Sequence, residues 1–233
     1  MSDSAESVKV LNELFGKLTV ATPEQRDDVA VEISSFLNGN IVEHDVPEQF
    51  FQELTKALQG KKTAANALAA VQHIASANDL SASVEPFVVA LTPDVCSATG
   101  SKDKATAELA ASTLIALTKA INPMSVKVIL PHLTNALSTT DKWQTKVAVL
   151  AAISALVDTA KTQVALRMPE LIPVLSESMW DTKKDVKIAA TNTMTKSTET
   201  VENKDIEKFI PQLISCIANP KEVPETVHLL GAT

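Results

Sequence analysis

Apolar residues recur along this chain in bands of helical spacing, and the bands end at prolines or at small polar turns. In residues 145–160, Val147, Leu150, Ala151, Ser154 and Val157 fall on one stripe of a helix, while Ile153 and Leu156 fall off it. An apolar band widened in this way is what a helix sandwiched between neighbours needs. Comparable bands cover residues 63–75, 105–120 and 185–200. Strand-like alternation appears nowhere over a useful length, so the pattern predicts an all-α chain.

The bands are arranged with a period. Four segments begin alike, with a proline followed by apolar residues a turn apart: they start at Glu85-Pro86, Leu130-Pro131, Met168-Pro169 and Ile210-Pro211. A weaker copy starts at Val46-Pro47. Successive prolines lie 39, 45, 38 and 42 residues apart. A helical period near ~40 points to HEAT or armadillo arrays. The expected architecture is an α-solenoid of HEAT repeats: antiparallel helix pairs wound into a right-handed superhelix. About five pairs are expected from residue 47 onward. Two helices, at about 5–19 and 23–37, precede them, and Asn38-Gly39-Asn40 reads as the break. The domains are accordingly 1–40, an N-terminal helical pair, and 41–233, the array. Residues 224–233 open a further helix with no polar capping helix after it. A solenoid needs a cap on its last apolar face, so the array is expected to be truncated at its C-terminus and to belong to a longer protein.

Proline and aspartate punctuate the repeats. Pro131, Pro169 and Pro211 follow residues that already look helical and are expected to kink their helices. Pro23 and Pro47 are expected to start theirs. Thr22 and Gln25 have the spacing of a capping box. Asp181, in the turn ahead of Asp185-Val186-Lys187, is expected to cap the following helix. Asp141 and Asp103 stand in looser copies of the same turn.

Composition agrees with close-packed helices. The chain has no Tyr, six Phe, two Trp and five Gly among 233 residues, and 45% of it is hydrophobic. Alanine-rich helices approach closely and lose no side-chain entropy on forming. The net charge of −7 is unevenly placed: residues 1–60 hold 4 Lys/Arg against 11 Asp/Glu, and the remainder is balanced at 17 of each. A protein that grips nucleic acid with its whole surface is basic, so any such contact must come from a local patch. The N-terminus lacks an apolar signal core, and no run approaches the ~18 apolar residues of a membrane span. The expectation is a cytoplasmic protein without a membrane partner. Cys96 and Cys216 lie far apart in apolar contexts and read as buried thiols.

Few residues suggest chemistry. The glycines are isolated, and no phosphate-cradling GxxxxGK[ST] loop occurs. Glu43-His44-Asp45 could hold a metal but reads better as a solvated loop, and His73 reads as structural. Neither catalytic, metal nor cofactor residues are expected. The lysines are more informative. Lys61 and Lys62, Lys102 and Lys104, Lys142 and Lys146, and Lys183, Lys184 and Lys187 all fall at the turn inside a pair or in the first turn of its second helix. Equivalent turns of a solenoid line one edge, so these nine predict a ridge of positive charge able to follow a phosphate backbone. A merely solvated surface remains the open alternative. Trp143 and Trp180 share these turns, either as contact residues or as staples between repeats.

Several long stretches are more specific than a repeat class. They are residues 35–47, 61–66, 130–136, 163–176, 179–184 and 222–233, among them Leu130-Pro131-His132-Leu133-Thr134-Asn135-Ala136 and Met179-Trp180-Asp181-Thr182-Lys183-Lys184. Together they closely resemble the N-terminal HEAT region of the fungal translation elongation factor three family, and the resemblance covers the whole chain. It implies a ribosome-binding element, meeting ribosomal RNA and ribosomal proteins and possible contacts with other elongation factors. The parent would be a cytoplasmic ABC-type ATPase that helps release deacylated tRNA from the exit site. ATP and Mg would belong to ATPase domains absent here, so this chain is expected not to be an enzyme. Two alternatives stay open: a protein-only scaffold holding a partner helix or tail in its concave groove, and a brace for the parent's ATPase domains.

Overall fold

The computed structural model describes residues 2–40, 48–76 and 80–200. These form one compact unit, and among them there are only helices and turns. Glu43, His44, Asp45, Pro47, Pro211, Cys216 and residues 224–233 lie outside the described residues.

Five antiparallel pairs follow one another. The first is α1 (Ser2–Val20) with α2 (Pro23–Asn40), and the second is α3 (Glu48–Gln59) with α4 (Ala64–Ser76). In the third, α5 (Glu85–Ala90) and α6 (Thr92–Ala98) together face α7 (Lys104–Ala120). A 3-10 turn over Pro123–Ser125 leads into α8 (Val126–Thr139), which pairs with α9 (Trp143–Thr159). Finally α10 (Lys161–Ala165) and α11 (Met168–Met179) face α12 (Lys184–Thr198). The second helices α2, α4, α7, α9 and α12 pack side by side as one layer, and the first helices form the other. The core runs unbroken between the layers, from Leu11 and Leu18 through Phe50, Leu68, Leu114 and Ile153 to Leu175 and Val186. Each large apolar side chain fully buried there contributes about 1.5–3 kcal/mol.

Buried polar side chains set the stagger between neighbouring second helices. Thr193 donates to the Leu150 carbonyl at 3.2 Å, and Thr113, whose hydroxyl donates to Leu109 of its own helix at 2.7 Å, lies 3.4 Å from the Leu68 carbonyl. In the first pair, Ser34 donates to the His73 carbonyl at 2.9 Å. Asn66 Nδ2 donates to both Leu18 and Ala21 carbonyls, at 2.9 and 3.0 Å, and so fastens the α1–α2 turn to α4.

The structure corrects the local reading in three places. Helix α2 runs through the expected break at Asn38-Gly39-Asn40. Asn38 instead bonds across to the Ile74 carbonyl and the Ser81 N–H, so the pair 1–40 is the first layer of the same stack. Pro169 starts α11 in its first turn instead of kinking a helix, because the chain already breaks at Leu166 and Arg167. Pro131 does lie inside α8, as does Pro173 inside α11. On α9, Leu150 and Val157 of the expected stripe are fully buried, but so are Ile153 and Leu156 off it, whereas Val147, Ala151 and Ser154 are only partly buried. Contacts with α7, α8 and α12 surround that helix and turn its buried face partly away from the stripe the spacing suggests. Pro23 starts α2 as expected, and the Gln25 side chain accepts the Thr22 N–H at 3.4 Å.

Candidate nucleic-acid interface

The turns inside the pairs share a local device. Ahead of α7, α9 and α12, a side-chain oxygen accepts the N–H of the residue two positions later, which heads the helix as its N-cap. Ser101 accepts from Asp103 at 3.2 Å, Thr140 from Lys142 at 3.2 Å and Asp181 from Lys183 at 2.9 Å. Such brackets are the local bonds these side chains favour in turns. Asp103 then caps α7 by accepting the Thr106 N–H at 2.9 Å. The Thr106 hydroxyl, which also donates to this carboxyl at 2.5 Å, and then the Thr106 N–H hold it below the usual carboxylate range. Lys142 and Lys183, which head α9 and α12, provide no side-chain cap.

Asp181 therefore does not cap α12 as expected. Its second oxygen takes the Lys146 ammonium at 2.6 Å, from the neighbouring repeat. The bond to Lys146 first, and the Lys183 N–H next, hold its carboxyl below the usual range. One repeat earlier, Lys142 Nζ donates to the Gly100 carbonyl at 2.7 Å. Gly100 permits this close crossing, since a Cβ there would collide with the Lys142 side chain and approach Thr145 Oγ1 to 2.9 Å. The turns ahead of α7, α9 and α12 are thus tied in sequence along one edge.

The nine lysines divide accordingly. Lys146 is half-buried and ion-paired, Lys142 is exposed but tethered to Gly100, and Lys104 faces Glu108 at 3.6 Å along an exposed helix turn. Lys61, Lys62, Lys102, Lys183, Lys184 and Lys187 are exposed and make no ion pair among the described residues. Asp103, Asp141 and Asp185 are exposed among them, so the edge carries mixed charge weighted towards lysine. Lys104, Lys142, Lys183, Lys184 and Lys187 also lie at or beside the positive end of a long helix. That location disfavours a cation by about 0.3–1 kcal/mol each.

The tryptophans differ. Trp143 is 37% exposed and lines an apolar hollow with Ala107 and Ala111 of α7 and Val147 and Ala151 of α9, as a staple would. Trp180 is 86% exposed on the same edge as the free lysines. Cys96 is buried, which pushes its thiol up to about 12. Among the described residues no cluster of His, Cys, Asp and Glu is arranged to hold a metal. No single described helix is long and apolar enough to cross a membrane.

Two hollows open between consecutive first helices where they meet this edge. One, of about 340 Å³, lies between α6 and α8 at the start of α9. The next, of about 390 Å³, lies between α8 and α11 and holds Lys146, Glu177 and Asp181. Neither was visible from residue spacing. The bracket residues Ser101, Thr140 and Asp181, at intervals of 39 and 41, were a signal available in the sequence.

Residues 26–194 match the family described as EF3 N-terminal HEAT repeat. The chain is 70% identical over its whole length to "Elongation factor 3" of Eremothecium gossypii and 66% identical to "Elongation factor 3A" of Saccharomyces cerevisiae. To "Elongation factor 3" of Pneumocystis carinii it is 38% identical over its whole length. In each case the chain spans 22% of the relative. Among solved structures, the MAST/Orbit N-terminal domain is similar with a TM-score of 0.56 at 17% identity, over 85% of this chain and 87% of that one. The likeness is one of fold.

Proposed function

Because the chain belongs to the elongation factor 3 N-terminal HEAT repeat family, we propose that it is the ribosome-docking part of an elongation factor, and that it engages ribosomal RNA through the edge carrying its intra-pair turns. The observation that carries this reading is where the lysines gather. Folding alone favours acidic residues at helix N-termini, and here lysines head or enter α7, α9 and α12. A surface kept against a local preference is expected where function demands it. Lysines spaced by one repeat suit a polyanion that runs along the stack. Ribosomal proteins and other elongation factors would meet the remaining surface, in the cytoplasm.

ATP hydrolysis and the tRNA release coupled to it would belong to the rest of the full-length factor. The residues described here do not fit a nucleotide and its Mg: the glycines are isolated and no metal-holding cluster is present among them. A protein-only scaffold is the second reading, favoured by the apolar hollow at Trp143.

Cosedimentation with ribosomes across a salt series separates these readings. Reversing Lys183, Lys184 and Lys187 together to Glu should flatten the salt dependence of log affinity by roughly 2–3, at about 0.7–0.9 per phosphate contact. Binding that ignores both salt and this triple reversal would refute the edge reading. Binding that survives RNase treatment would favour the scaffold.

A further inference from the structure

We propose that the 340 Å³ hollow between α6, α8 and the start of α9 is a phosphate-binding site. The inference rests on the edge reading only for the source of the phosphate, an RNA backbone. Seven polar side chains line it: Ser97, His132, Asn135, Thr139, Thr140, Lys142 and Thr145. No carboxylate is among the lining residues, although Asp141 is the sequence neighbour of Lys142. Lys142 Nζ uses one of its three hydrogens on the Gly100 carbonyl. This bond holds the ammonium at the wall with donors to spare.

Two further observations point to an anion. The 17-residue helix α9 begins at this hollow, and its head residue Lys142 supplies no side-chain cap. Its first N–H groups and its dipole therefore favour negative charge there. Thr145, in its first turn, is 4% exposed, lines the hollow and makes no side-chain hydrogen bond among the described residues. Its hydroxyl is therefore available to a group placed in the hollow.

The neighbouring repeat provides an internal comparison. The next hollow along the edge, between α8 and α11, contains two carboxylates, Glu177 and Asp181. Asp181 there binds an ammonium and a head N–H of α12 at once. In the first hollow the bracket residue is the neutral Thr140. An ammonium and an uncapped helix start face the space with no carboxylate of the protein's own. A phosphate oxygen would take the part that Asp181 plays one repeat later.

The test is an amide-resolved NMR titration of the 233-residue chain with inorganic phosphate, on the native protein, Asn135→Asp and Thr145→Val. Asn135 is exposed, so its near-isosteric change keeps the fold while placing a carboxylate in the hollow. The expected result is saturable shifts at the ends of α6 and α8 and the start of α9, with affinity reduced about tenfold or more by Asn135→Asp through like-charge repulsion. Thr145→Val should weaken it less, with the rest of the spectrum unchanged. Shifts that do not saturate, or that are the same in Asn135→Asp, would overturn the site. Ribosome cosedimentation then assigns the source. Weaker binding by Asn135→Asp supports an RNA phosphate, and unchanged binding replaces that source with free phosphate. Failure of the edge reading shows separately, in the Lys183, Lys184 and Lys187 reversal, which leaves the hollow untouched.

Discussion

Replacing Lys146 by Met should destabilise the protein and leave ribosome binding intact. The Lys146–Asp181 contact is 2.6 Å long, and the two side chains are only 24% and 11% exposed. Exposed pairs are worth about 0.2–1 kcal/mol, and hydrogen bonds to charged groups about 1.5–3 kcal/mol. A pair this screened from solvent, yet at the surface of the stack, falls between, at about 1–2 kcal/mol. Methionine keeps an unbranched stem of similar length, so the change removes chiefly the charge. For a unit of this size the loss corresponds to a fall in Tm of roughly 2–8 °C. The pH dependence identifies the cause. The Asp181 carboxyl is held below its usual range in the folded state by Lys146 first and the Lys183 N–H second. A carboxylate with a lowered folded value stabilises above its unfolded value, about 3.9, and loses that contribution as pH falls through the folded value. The gap between native protein and Lys146→Met in urea unfolding should therefore be full at pH 7 and close in acid below the usual aspartate range. A variant as stable as the native protein at pH 7, or a gap that persists in acid, would refute the reasoning. So would a loss of ribosome affinity equal to that caused by changing Lys183, Lys184 or Lys187.

Two further outcomes are expected. Asn66→Ala removes both bonds that fasten the α1–α2 turn to α4 and should cost about 1–3 kcal/mol; hydrogen exchange should rise first in α1 and α2, and unchanged exchange there would contradict the anchoring role. Cys96, with its thiol raised to about 12 by burial, should resist iodoacetamide at pH 8 in the native protein and react in denaturant, as read by peptide mapping.

Much of the fold is legible in the sequence because each pair repeats the same physical requirements. A proline-led helix, a polar turn and an apolar second helix recur with little variation, and the second helices at 64–76, 104–120, 143–159 and 184–198 fall where the periodicity puts them. The misreadings arise where a residue's partner is distant in the chain. Asn38 reads as a breaker by type, but its bonds to Ile74 and Ser81 keep it useful at the end of a helix. The buried face of α9 depends on which neighbours surround it, and no local stripe encodes that. The candidate edge follows the same rule. That lysines cluster at the turns is visible from spacing, but the engagement of Lys146 by a carboxylate 35 residues away is not. The hollow at Thr145 is assembled from three helices and leaves no local trace.

The brackets formed by Ser101, Thr140 and Asp181 have one more consequence. A side chain two residues upstream holds the head residue of α7, α9 and α12, so the residue at the head of α9 or α12 is relieved of that duty. The head position becomes an exchangeable socket. Its occupant can be swapped among cations, neutral groups or acids with little disturbance to the stack beneath. Repeats of one scaffold could in this way diverge in what their shared border recognises while the scaffold itself stays the same.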